Sequence, residues 1–120
     1  MGDARGGLQR LPSAADDQPV VEVALLALGD TTAQAFAHVL RGAITHLRRA
    51  PGYLAHSCGP CADEAELFLL LVWWRSIDAH VVDFRQSEDH VLWRSLLQGH
   101  LRSEPWVRHF EVNVGIDQEN

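Results

Sequence analysis

The hydrophobic and polar positions fall into a short series of elements. Val20 to Leu28 is a β-rich apolar run that stops at Gly29-Asp30, which predicts a strand followed by a break. Asp30, Thr31 or Thr32 can cap the helix that follows. Phe36, Leu40, Ala43 and Leu47 then recur at helical spacing, carrying that helix to about Ala50, where Pro51-Gly52 ends it. Tyr53 to Ser57 is short and strand-like, with a turn expected at Gly59-Pro60. Glu66 to Trp74 is the strongest strand signal, apolar without alternation, which predicts cover on both faces. Ser76 starts a short helix through Arg85, Ser87 starts another from Glu88 to about Leu101, and the alternating Val107 to Val114 closes the series as a strand.

The order is β-α-β-β-α-α-β, a ferredoxin-like βαββαβ pattern of the α+β class with its second helix split. Helices cover one face of such a sheet. An apolar middle strand therefore needs a second cover, and a homodimer forming a dimeric α/β barrel is the simplest one. The domain is expected over residues 20–114, between a flexible tail at 1–19 and a short C-terminal tail at 115–120.

Composition narrows the function classes. The chain has 120 residues, enough for one domain, and 47% of them are hydrophobic, which places it among globular proteins. The formal charge of −6 argues against a nucleic-acid partner. All ten cationic residues are Arg, which excludes Schiff-base chemistry on a lysine and a phosphate loop with its lysine. No run reaches the roughly 18 apolar residues of a membrane span, and the N-terminal residues do not read as a signal peptide. Two Cys without an export signal fit a cytoplasmic setting.

Three titratable residues fall on faces predicted to be buried. Glu22 interrupts the first strand on the face of Ala24 and Leu26, where a carboxylate needs a partner or a raised pKa. His90 shares a helix face with Trp93, Leu97 and Leu101, and His109 alternates into the side of Val107. An imidazole there can serve as acid or base near neutral pH. Equally, each can be a core histidine bonded to backbone. Tyr53, Trp74, Phe84 and Trp93 can line a flat aromatic pocket or simply pack the core. His38, His46 and His100 read as surface or flank residues.

Cys58-Gly-Pro-Cys61 matches the C-x-x-C of thioredoxins, but there the motif opens a helix that lowers the first thiol's pKa, whereas here it falls in a predicted inter-strand turn. His56, Cys58 and Cys61 supply three possible zinc ligands and no obvious fourth, so no metal site is expected.

The stretch Trp74-Arg-Ser-Ile-Asp-Ala-His80, followed by Phe84, Ser87 and His90, resembles the W-x-S-x-x-A-H region of the antibiotic biosynthesis monooxygenase family. Pro51-Gly52 and His109-Phe110 fit the same pattern, and the resemblance spans roughly residues 20–114. It implies the dimeric barrel. It also implies a small enzyme without a cofactor, a cyclase, oxygenase or lyase of secondary metabolism acting on an apolar, aromatic or polyketide-like molecule. A non-catalytic, stress-type barrel that binds a hydrophobic ligand is the alternative within the superfamily. Plant polyketide cyclases of the olivetolic acid type carry a catalytic His where His90 falls, and polar cavity residues where Glu22 and His109 fall, although Glu22 stands where those enzymes have His. By the same likeness His90 is the expected general acid/base, His109 the residue orienting substrate, and Glu22 a proton relay. Tyr53, Trp74, His80, Phe84 and Trp93 are the expected substrate contacts. A haem-degrading role would also need an Asn on the first strand, and Val20 to Leu28 has none.

Overall fold

Val20–Ala27 (β1) lies inside a four-stranded antiparallel sheet with Tyr53–Pro60 (β2), Leu67–Trp74 (β3) and Trp106–Phe110 (β4), in the order β2-β3-β1-β4. The computed structural model describes residues 18–112, so residues 1–17 of the expected N-terminal tail and all of the C-terminal one lie outside the described residues, while the last strand ends at Phe110, short of the predicted Val114. Helix α1 (Ala33–Arg48) follows β1, capped by the Thr32 hydroxyl, which accepts the Ala35 N–H at 3.1 Å. Its stripe of Phe36, Leu40, Ala43, Ile44 and Leu47 is buried against the sheet. Phe36 meets Phe68 of β3 edge-on, with ring centres 5.0 Å apart. Helix α2 (Glu88–Leu97) is capped by Ser87, whose hydroxyl accepts the His90 N–H. It gives way at Gln98–His100 to a 3₁₀ turn rather than running to Leu101.

Two local expectations change. The run after Ser76 is a π-helical turn, Ala79–Phe84, closed by the Arg85 N–H donating to the His80 carbonyl at 3.0 Å. Strand β2 continues through Gly59 and Pro60, where the sequence predicts a turn. Because β2 is an edge strand, Pro60 needs no partner for a missing N–H on its outer side.

The apolar run of β3 alternates in burial. Phe68, Leu70, Val72 and Trp74 are buried under the helices, whereas Leu67, Leu69, Leu71 and Trp73 lie half-buried on the other face. Among the described residues of one chain, only one side of the sheet is covered.

Candidate functional site

Glu22 is the buried carboxylate of the covered face, 7% exposed. Antiparallel register sets it opposite Val72 on β3 and His109 on β4, with Trp74 opposite Val20. Trp74 is therefore the diagonal cross-strand neighbour of Glu22 on the same face. Its indole Nε1–H donates to Glu22 Oε1 at 2.9 Å. Beyond Trp74 the chain leaves the sheet. The Ser76 hydroxyl accepts the Ala79 N–H at 3.1 Å, and the π-helical turn carries His80 back over the strand.

The His80 ring stacks on the Trp74 indole, 4.8 Å between centres and 10° between planes. His80 Nδ1 lies 2.7 Å from His109 Nε2, and His80 Nε2 lies 3.5 Å from Glu22 Oε1. With Glu22 ionised, one proton order satisfies all three groups. His109 Nε2–H donates to His80 Nδ1, and His80 Nε2–H points at the carboxylate. Glu22 Oε1 thus faces two N–H groups, while among the described residues Oε2 has no side-chain partner.

Burial sets the protonation of this cluster. It raises the Glu22 pKa from 4.5 to about 6, against the lowering pull of the Trp74 hydrogen bond and the Arg85 charge. Burial also lowers His80 to about 3, helped by the positive fields of Arg85, His109 and His90. His80 is therefore neutral near pH 7, and its contact with Glu22 is a hydrogen-bonding approach rather than an ion pair. His90 and His109 are likewise lowered, first by burial and then by Arg85.

Beside the cluster, between the sheet and α2, opens a cleft of about 930 Å³. Glu22 and His80 form its polar end, and Leu26, Leu70, Trp93 and Leu97 supply apolar wall. His90 lines it too, edge-on to Phe84 with ring centres 5.3 Å apart, and its ring has no side-chain hydrogen bond among the described residues. Phe84 is 2% exposed and backs both His90 and Trp93. Arg85 stands on the cleft wall, whereas Arg94 is paired with Glu104 at 3.1 Å.

The sequence-predicted residues therefore separate. Glu22, His80, Phe84, His90 and Trp93 meet at the cleft, and His109 holds His80 from β4. Trp74 is fully buried behind the carboxylate, which makes it a holder of Glu22 instead of a substrate contact. Tyr53 lies off the cleft, its hydroxyl 2.7 Å from His56 Nδ1, because it begins the edge strand on the far side of β3. Arg85 is not singled out by sequence, because its place on the cleft wall follows from the π-helical turn that precedes it. His46, read as a flank residue, donates from Nδ1 to Asp89 at 2.8 Å and ties α1 to α2.

Cys58-Gly59-Pro60 is part of β2, not a turn, and Cys61 follows it with its N–H donating to the Leu67 carbonyl. Burial pushes the Cys58 thiol up, against a weaker opposite pull from Arg41. An activated redox thiol needs the reverse shift. Among the described residues no group of three or more His, Cys, Asp or Glu is arranged to hold a metal ion, and no helix is long and apolar enough to cross a membrane.

Residues 19–96 match the sequence model of the family described as antibiotic biosynthesis monooxygenase. The chain is 33% identical over 92 residues to the Bacillus subtilis protein YczJ, itself described as uncharacterised, covering 77% of this chain and 97% of that one. A Bordetella bronchiseptica structure given a provisional antibiotic biosynthesis monooxygenase assignment superposes with a TM-score of 0.76 at 26% identity, covering 81% of this chain and 99% of that chain. SnoaB from Streptomyces nogalater, described as a cofactor-independent oxygenase, superposes with a TM-score of 0.66 at 15% identity, covering 81% and 97%, a likeness of fold alone.

Proposed function

The chain belongs to the antibiotic biosynthesis monooxygenase family, and from there we propose that it is a small cofactor-independent enzyme in which Glu22 removes a proton from carbon. The substrate is an apolar aromatic or polyketide-like molecule held in the cleft. One observation carries this reading. A buried carboxylate at the end of an apolar cleft has one oxygen hydrogen-bonded by Trp74 and approached by His80 at 3.5 Å, and the other without a side-chain partner among the described residues. A base needs a free lone pair and a pKa near the working pH, and burial supplies the second at about 6.

The substrate carbon must be acidic, flanked by carbonyl or aryl groups that spread the charge. Glu22 Oε2 takes its proton, and Arg85 on the cleft wall stabilises the negative charge left behind. The description of the matching family as a monooxygenase favours oxygenation over cyclisation or lysis. Dioxygen is then the oxidant. The carbanion gives it an electron pair, the peroxide oxygen takes up a proton, and loss of water leaves a carbonyl. One oxygen atom enters the product and the other leaves as water, with both hydrogens of the original methylene. The proton taken by Glu22 returns to the peroxide, and the neutral His90 imidazole on the cleft wall is placed to relay it, accepting at one ring nitrogen as the other gives its proton up. This assignment moves the base from His90 to Glu22. A non-catalytic barrel that binds a hydrophobic ligand needs a cleft as well, and it is the buried Glu22 carboxylate at the end of that cleft that speaks for catalysis.

We also propose that two chains pair through the open face of the sheet, where Leu25, Leu69, Leu71 and Trp73 are half-buried and Phe110 is 49% exposed. The purified protein should sediment as a dimer.

The direct test uses a hydroxyanthrone as probe, following oxygen uptake and quinone absorbance. Glu22→Gln keeps the shape and removes the base, so the rate should fall on the order of 10²–10⁴-fold. Turnover retained in that variant would overturn the assignment.

A further inference from the structure

Gly52 closes the turn between α1 and β2 and is buried there. Its φ lies outside the left-handed region, so the backbone itself does not call for glycine. The demand comes from Ala79, the first residue of the π-helical turn. A Cβ built on Gly52 would fall 2.3 Å from the Ala79 Cβ, while the Ala79 Cα and Arg75 Cβ stand at 3.6 and 3.8 Å. Both colliding carbons are fixed to main chain, and neither can swing aside. To reach the ordinary carbon–carbon separation of about 3.5–4.0 Å, the two segments would have to part by about 1 Å or more. Ala79 is 1% exposed, which leaves no room for an easy retreat. Gly52 also accepts the Arg75 N–H at 2.8 Å, tying the same glycine to the start of the segment that carries His80.

We propose that Gly52 is a positioning residue for His80: its missing side chain lets Ala79 pack directly against the α1–β2 turn, and this sets the imidazole between His109 and Glu22. The inference rests on the role given to Glu22 above, since His80 acts by holding that carboxylate. The 2.7 Å bond from His109 to His80 has little tolerance, because a displacement of 1 Å or so takes it out of hydrogen-bonding range.

The test compares Gly52→Ala with the double variant Gly52→Ala/Ala79→Gly. In the double variant the only atom at 2.3 Å is gone, and the nearest remaining one is the Cα of residue 79 at 3.6 Å, an ordinary contact. Two readouts are taken, the His80 imidazole titration by NMR and hydroxyanthrone turnover. In Gly52→Ala the His80 midpoint should climb from about 3 towards the ordinary 6.5, and turnover should fall about 100-fold. Both should return in the double variant. If Gly52→Ala keeps the wild-type His80 titration, the proposal is wrong even where thermal stability drops, because the glycine is then merely structural. If the single variant does not fold, the double variant decides. A folded double variant with wild-type His80 titration supports the proposal, and one that stays unfolded or keeps a shifted midpoint overturns it. Unchanged turnover in His80→Gln would instead contradict the reading of the site, while the titrations still judge Gly52.

Discussion

Two stretches of this chain carry recognisable motifs, Trp74 to His80 and Cys58 to Cys61, and their surroundings differ. In the first, the end of a sheet strand and a π-helical turn give each key residue a partner. Trp74 donates to Glu22, Ser76 caps Ala79, and His80 stacks on Trp74 and bonds His109. In the second, Cys58, Gly59 and Pro60 lie along an edge strand and Cys61 just past its end, and what burial Cys58 has pushes its thiol up. A motif acquires chemistry from the backbone that presents it. A thioredoxin-type pair needs a helix start to stabilise its thiolate, and an extended strand has none to offer. A buried carboxylate needs a donor already in place, and the first stretch delivers the Trp74 N–H at 2.9 Å and brings His80 to 3.5 Å of the same oxygen.

The largest effect that sharpens this contrast is expected from Trp74→Phe. A smaller aromatic ring remains and the donor goes, so Glu22 loses a hydrogen bond to a charged group, typically about 1.5–3 kcal/mol. The Glu22 midpoint should rise above its value of about 6, and hydroxyanthrone turnover should fall about tenfold to a hundredfold.

Next in size is the pH dependence of stability. His80 has a folded pKa of about 3 against the ordinary 6.5, so between those values the unfolded chain binds a proton that the folded chain refuses. Its contribution is fully present above about pH 6.5 and is lost as the pH falls towards 3. Glu22 runs the other way: its raised pKa favours the fold below pH 4.5, an advantage lost as the pH rises through about 6. Melting curves of His80→Gln should therefore show a shallower loss of stability on acidification than wild type. An unchanged slope would mean that His80 is not held neutral by the fold.

The smallest effect belongs to the second stretch. Cys58→Ser with Cys61→Ser should leave hydroxyanthrone turnover within twofold of wild type, under reducing and oxidising conditions alike. A redox-dependent change would restore the thiols to the account.

Much of the frame was legible from sequence. Thr32 and Ser87 cap where the sequence places caps, and the apolar runs from Val20 and to Trp74 are strands, because local chemistry decides those features. Gly59-Pro60 misled, since turn propensity says nothing about an edge position in a sheet. Glu22 stood out because a carboxylate in an apolar run demands compensation. Its donor Trp74 was hidden, as cross-strand register is a property of the assembled sheet. His80 could be placed on a helical turn, yet its direction depends on a π-helical turn that no spacing rule anticipates. His90, the sequence's first choice for catalysis, reaches the cleft with a ring that has no side-chain hydrogen bond among the described residues, which sequence position alone could not reveal.

The central claim is that Glu22 is a base tuned by burial and held by Trp74 and His80. A ¹³C NMR titration of the Glu22 side-chain carboxyl tests it most directly. The account predicts a midpoint of about 6, and a midpoint at the ordinary 4.5 would contradict it.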